Sequence, residues 1–141
     1  MSQMTAERQA FPARTDALPK VTAFVESRCA ALGADRGATL LLMLMAEELF
    51  INTVVHGYGE DGRRRVSLSV RDCGPELELV AEDNAGEFDP FAQVPPVPAP
   101  EEAVVGGYGR LLLTGLSSRQ SYERQGPRNR VTLGVPKKRP A

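Results

Sequence analysis

Histidine occurs once and cysteine twice in these 141 residues. One histidine cannot build a His-rich metal site. Cys29 and Cys73 are isolated, with no paired spacing for a metal and no dense framework for disulfides, so two ordinary reduced thiols are expected. Net charge is equally scarce: 17 basic residues against 18 acidic ones leave a formal −1, and no global field draws the chain to nucleic acid. The basic run PKKRP at 136–140 is short and reads as a solvated tail. Long apolar runs are missing too. LLLMLMA at 40–46 falls far short of the about 20 apolar residues that a membrane span needs, and the N-terminus has no charged-then-apolar export pattern. These absences lead us to expect a cytoplasmic chain with no direct nucleic-acid or membrane partner, forming one domain over 1–141 with a real core.

What is present is strong periodicity. Residues 5–14 are compatible with an edge strand. From Leu18 to Leu32 the apolar positions Leu18, Val21, Phe24, Val25, Cys29 and Leu32 recur at intervals of three and four, the pattern of an amphipathic helix that Gly33 ends. Asp35 can cap a second helix through its side-chain oxygen. This helix runs to about Val55, where HGYGEDG supplies the glycines that stop it. It is apolar nearly all round, which predicts burial between layers and requires any polar group on it to find a partner or do chemistry. RVSLSVRDCGPELELVAED then alternates Val66, Leu68 and Val70, turns at Gly-Pro, and alternates Leu77, Leu79 and Ala81: a β-hairpin with one buried face. Residues 90–105 are crowded with proline, which excludes a central strand or a helix interior. GGYGRLLLTGL at 106–116 reads as a glycine turn entering a short helix, and a second hairpin follows with Val131, Leu133 and Val135 facing inward. Antiparallel hairpins with helices on one face make a two-layer α/β sandwich of the α+β class, with a mixed, mainly antiparallel sheet.

Three stretches can carry chemistry. In EELFINTVVHGY, Glu48, Asn52 and His56 are four residues apart and share one face of a helix. The amide oxygen of Asn52 suits Mg²⁺, and Glu48 can accept a proton from an attacking hydroxyl. The alternative is a surface stripe on a helix packed on its other sides, with His56 a structural histidine bonded to nearby backbone. In EDNAGEFDP, Asp83 follows a strand and can accept a hydrogen bond from an exocyclic amine such as that of adenine, although Asp-Asn-Ala-Gly is also a plain turn. GGYG permits close backbone approach ahead of a helix N-terminus, a combination suited to polyphosphate.

In this order and at these separations the three stretches resemble the sequence boxes of the ATPase superfamily that includes gyrase and histidine kinases. Among its small members, the likeness is to the bacterial anti-sigma factor serine/threonine kinases of partner-switching systems. The first box, E-x-x-x-N-x-x-x-H-x-Y, stands here as Glu48, Asn52, His56 and Tyr58. The second is matched by Asp83 with Phe88, Asp89 and Pro90, and the third by Gly106, Gly107 and Gly109, followed by Tyr122 and Asn129 in the closing hairpin. The resemblance implies a Bergerat-type ATP-binding fold in which Asn52 ligates the Mg²⁺ on the ATP phosphates. Glu48 would be the base for a substrate hydroxyl and Asp83 would recognise the adenine amine. Ala85 and Phe88, with Gly106, Gly107, Tyr108, Gly109 and Arg110, would complete the nucleotide site beneath a lid at about 90–105. It also implies a STAS-domain anti-sigma factor antagonist as substrate, a sigma factor as the alternative partner, and a possible homodimer.

This sequence departs from the family pattern at three positions. Ala85 stands in place of a glycine and narrows the pocket by a methyl group, Val105 replaces a basic residue found in some relatives, and Ser118 occupies a position often held by aspartate. Two functions therefore compete: a protein kinase that doubles as an anti-sigma factor, and a protein-sequestering module of the same fold with weak or structural nucleotide binding. A detached ATPase domain of a histidine kinase is a third reading, opposed by the absence of room for a phosphoacceptor helix pair.

Overall fold

The computed structural model describes residues 7–59, 62–91 and 116–138. Strand β1 (Arg8–Pro12) leads through a short 3₁₀ turn into helix α1 (Leu18–Ala31), then helix α2 (Arg36–Ile51), which continues as a π-helical turn over Asn52–Gly57. Two hairpins follow, β2 (Arg65–Asp72) with β3 (Glu76–Asp83) and β4 (Arg119–Gln125) with β5 (Arg128–Pro136). The strands form one sheet in the order β1-β2-β3-β5-β4. Every pairing between described strands is antiparallel, in keeping with the mainly antiparallel sheet expected. The glycine turn, its helix and most of the proline-rich segment lie outside the described residues.

Local chemistry explains the helix limits. Pro19 sits in the first turn of α1, where its missing N–H costs nothing. Leu32 N–H donates to Arg28 O at 3.0 Å, and Gly33, at φ 82°, takes the left-handed conformation that closes the helix. The Asp35 carboxylate accepts from Ala38 N–H at 2.8 Å, the expected N-cap. Arg28 is buried on α1, and this is tolerable because its guanidinium donates to Val70 O at 2.9 Å through Nη2 and at 3.3 Å through Nε.

Both helices cover one face of the sheet. Leu42, Met45, Phe50, Val21 and Val25 meet Val66, Leu68, Leu77, Leu79, Leu133 and Val135 in a single cluster. Phe11 is wedged edge-on between Phe24 and Phe50, with ring centroids 5.7 and 6.5 Å away. α2 is not buried on all sides as its composition suggested: Leu40 and Leu44 remain 48% and 43% exposed, because α1 and the sheet cover only part of its circumference. Taken with its π turn, the 22-residue stretch Arg36–Gly57 contains an 18-residue window of mean hydropathy 1.7 that meets the length and apolarity of a membrane span. Half of it is buried inside the protein, and that burial accounts for its apolarity.

The opposite face of the sheet carries ion pairs. Glu82 lies between Arg8 and Arg128 at 3.5 and 3.6 Å, and Arg119 bridges Glu76 and Glu78 at 2.8 and 3.4 Å. Such exposed pairs contribute about 0–1 kcal/mol each, so the sheet is held chiefly by its apolar face.

Candidate functional site

Where α2 gives way to the π turn, five-residue spacing replaces four. Tyr58 N–H donates to Thr53 O at 2.8 Å, a bond across five residues that defines the wider turn. The predicted line Glu48–Asn52–His56 is therefore broken. Asn52 and Gly57, five apart, line a common cleft, while His56 is exposed. His56 was expected to hold the helix end, and Tyr58 does so instead. Its hydroxyl donates to Arg65 O at 3.0 Å and accepts from Asn84 N–H at 2.7 Å. Arg64 lies 4.8 Å over its ring and donates to Asn84 O at 2.9 Å. Burial, the largest influence, raises the Tyr58 phenol above its ordinary pKa, so it stays protonated and able to donate.

The cleft opens between the end of α2 and the ends of β3 and β5. Leu49, Asn52, Thr53, Gly57, Asp83, Ala85, Gly86, Phe88, Pro90, Asn129 and Val131 enclose about 380 Å³, part of it open to solvent. Asp83, the last residue of β3, pairs in register with Asn129 on β5. Its Oδ1 accepts from Ala85 N–H at 2.9 Å and from Asn129 Nδ2 at 2.8 Å, while Oδ2 accepts from the Thr53 hydroxyl at 3.3 Å. A carboxylate has about four acceptor positions, so Oδ2 keeps capacity for a donor in the cleft.

Asn129 is the hub of this arrangement. Beyond Asp83, its Nδ2 donates to Ala85 O at 3.2 Å and Gly86 O at 3.0 Å. Its Oδ1 accepts from the Tyr122 hydroxyl at 2.5 Å and from Arg124 Nη1 at 3.1 Å. Arg124 Nη1 also donates to Ala85 O at 2.8 Å. The closing hairpin thus fixes the turn that follows Asp83. The family resemblance named Tyr122 and Asn129 without a role, and Thr53, Gly57 and Arg124 were not anticipated. A signal for Asn129 existed: it falls on the inward alternation of Val131, Leu133 and Val135, where an amide needs partners.

Glu48 lies one helical turn before Asn52 and does not line the cleft described above. It is half-buried, and its Oε2 is buried with no hydrogen-bond partner among the described residues. Burial, reinforced by Glu47, raises its carboxyl above the usual range. Ala85 lies in the cleft wall, and Phe88 is 38% exposed at its edge. Ser118 lies away from the cleft: its hydroxyl bonds the Glu76 carboxylate and Gly134 O at 3.0 Å, locking the start of β4 to the sheet. Gly106, Gly107, Tyr108, Gly109, Arg110 and Val105 fall outside the described residues.

Asp83 Oδ2 offers at an apolar-walled cleft the kind of acceptor that an exocyclic amine such as that of adenine requires. No cluster of three or more His, Cys, Asp or Glu side chains that could hold a metal is found among the described residues. A magnesium ion here would be held by the Asn52 amide oxygen together with nucleotide phosphates and water, as this cation commonly is.

Comparison with known proteins bears on the family and the fold. The chain is 30% identical over 94 residues to the serine/threonine-protein kinase BtrW of Bordetella bronchiseptica, a match that spans 65% of this chain and 66% of that one. Among solved structures, it resembles the RsbU and RsbW domains of a Mycobacterium tuberculosis protein, with a TM-score of 0.62 at 19% identity, over 96% of this chain and 34% of that one. It also resembles the histidine kinase domain of the blue-light activated histidine kinase of Erythrobacter litoralis, with a TM-score of 0.51 at 18% identity, over 96% of this chain and 65% of that one. At these identities the structural likeness establishes the two-layer fold. The model of the histidine kinase-like ATPase domain matches residues 11–135, nearly the whole of the sheet, both helices and the cleft between them, and the chain belongs to that family.

Proposed function

We propose that this chain is an ATP-dependent protein serine/threonine kinase that acts as an anti-sigma factor in the cytoplasm. Its substrate in this reading is a STAS-domain anti-sigma factor antagonist, and its other partner is a sigma factor. The observation that carries the proposal is the Glu48 carboxylate, which has one buried, unpartnered oxygen a single helical turn from Asn52 at the Asp83 cleft. A half-buried carboxyl with its pKa raised by burial is suited to taking the proton of a serine or threonine hydroxyl near neutral pH. Asp83 recognises the adenine amine, Asn52 holds the magnesium-bound phosphates, and the glycine-rich sequence 106–110 contacts the phosphates. Bound magnesium supplies charge neutralisation on the phosphoryl group. The protein's own part is positioning and proton acceptance. The kinase name of the Bordetella relative supports this reading, although the match spans just under two thirds of that protein.

The test is transfer of phosphate from Mg-ATP to a purified STAS-domain antagonist. Glu48→Ala should abolish transfer while leaving nucleotide binding in place, whereas Asn52→Ala should weaken both. Equal transfer by wild type and Glu48→Ala refutes the assigned base. A second reading, a sequestering module with structural nucleotide binding, is favoured by the Ala85 methyl in the cleft wall. It predicts that the antagonist or the sigma factor is bound with no phosphate transferred.

A further inference from the structure

The π turn has a consequence for the cleft wall. By winding five residues per hydrogen bond, it carries Gly57 rather than His56 to the wall, directly against Ala85. A Cβ placed on Gly57 would lie 2.9 Å from the Cβ of Ala85, closer than real side chains approach. Ala85 has no flexible end that could swing away, so relief would have to come from the backbone of the turn. That turn is the one whose Ala85 N–H bonds Asp83 Oδ1 at 2.9 Å. Its Ala85 carbonyl accepts from Arg124 and Asn129 at 2.8 and 3.2 Å.

We propose that Gly57 is a positioning residue for nucleotide recognition: its missing side chain is the seat of the Ala85 methyl, and this contact sets the depth of the cleft and the aim of the Asp83 carboxylate. The two positions together accept one methyl group, not two. On this account the alanine at position 85 is matched by the glycine delivered by the π turn. The proposal rests on the reading of the cleft as an adenine-nucleotide site, but the contact itself can be measured without nucleotide.

The sign of the expected effect is unusual. Gly57 is not among the glycines in the left-handed region, and alanine in place of glycine in a helical turn ordinarily stabilises. Here G57A should destabilise the wild-type chain, because the overpacked turn must shift. In the A85G background the same substitution should stabilise.

The experiment is a double-mutant cycle of G57A, A85G and the double variant, read two ways on the full chain. Urea denaturation without nucleotide should show the reversal of sign between the two backgrounds. Effects of G57A that are equal in both backgrounds overturn the contact. Calorimetric titration with Mg-ATP should show G57A binding about tenfold or more weakly, with affinity recovered in the double variant to within about threefold of A85G alone. Wild-type affinity in G57A, or a double variant as weak as G57A, overturns the positioning role. Should G57A fail to fold, a folded double variant supports the proposal and an unfolded one overturns it. If wild type binds no Mg-ATP, the nucleotide reading fails, while the denaturation cycle still decides the contact.

Discussion

Replacing Asn129 with alanine tests whether the closing hairpin holds the site. Asn129 is 3% exposed, and its amide accepts from two donors and reaches three acceptors with the two hydrogens of Nδ2, one of them shared. Without the amide, Ala85 O keeps Arg124 and Asp83 Oδ1 keeps the Ala85 N–H. The Tyr122 hydroxyl loses its acceptor, and Gly86 O is left to water. Each buried group stranded in this way costs about 1–3 kcal/mol, less where the cleft admits water, so the expected loss is about 2–4 kcal/mol. For a chain of this size that is a fall in Tm of about 6–14 °C, measurable by circular dichroism and by the urea midpoint. Tyr122→Phe should cost only about 1 kcal/mol, because Arg124 still donates to Asn129 Oδ1. Asn129→Asp would set a second carboxylate where Nδ2 now stands 2.8 Å from Asp83 Oδ1, forcing one of the pair to hold a proton. Its folded pKa is then raised, so the destabilisation is present above the ordinary carboxylate range and is lost as pH falls below about 4. A loss below about 0.5 kcal/mol for Asn129→Ala would refute the hub assignment, since ordinary surface changes reach that much.

Glu48 gives a pH signature of its own. Burial raises its folded pKa above the unfolded value of 4.5, so its charge burdens the folded state above that range and not below it. Glu48→Gln should therefore raise Tm at pH 7 and leave it unchanged well below pH 4.5, and an equal shift at both pH values would contradict the burial of its orphan oxygen. The thiols should separate cleanly, because burial pushes Cys29 up to about 11 while Cys73 is exposed in the β2–β3 turn. Native protein treated with an alkylating reagent at pH 8 should be modified at Cys73 alone by mass spectrometry; modification of Cys29 at a comparable rate would mean that α1 opens readily.

Periodicity and turn chemistry made most of the scaffold legible in advance. Asp35 caps α2, Gly33 closes α1, and both hairpins place Val66, Leu77 and Val131 inward as alternation requires. The end of α2 was less legible, for a physical reason. α and π turns use the same residue types, and what selects the wider turn here is tertiary: the bonds of Tyr58 to Arg65 and Asn84, and the close seat of Ala85. The helix line was read with α spacing, which placed His56 where Gly57 stands. In the same way, a count of apolar residues along α2 could not reveal that Leu40 and Leu44 stay exposed. Asp83 and Asn52 were readable as individual residues, but the network joining Asp83 to Thr53, Asn129 and Arg124 depends on which strands are neighbours.

That adjacency bears on how the protein folds. The pairs β2–β3 and β4–β5 are hairpins closed by tight turns, Asp72 opposite Leu77 and Gln125 opposite Arg128, and such local contacts form in microseconds. The pairing of β3 with β5 sets Asp83 opposite Asn129, 46 residues away along the chain. This junction must pay the loop-closure entropy of the intervening segment before it gains any contact. The cleft straddles that junction. It therefore exists only once this long-range pairing has closed, and a ligand that needs Asp83 held by Asn129 selects the chain in which the two hairpins have joined over any chain in which they have formed but not yet met.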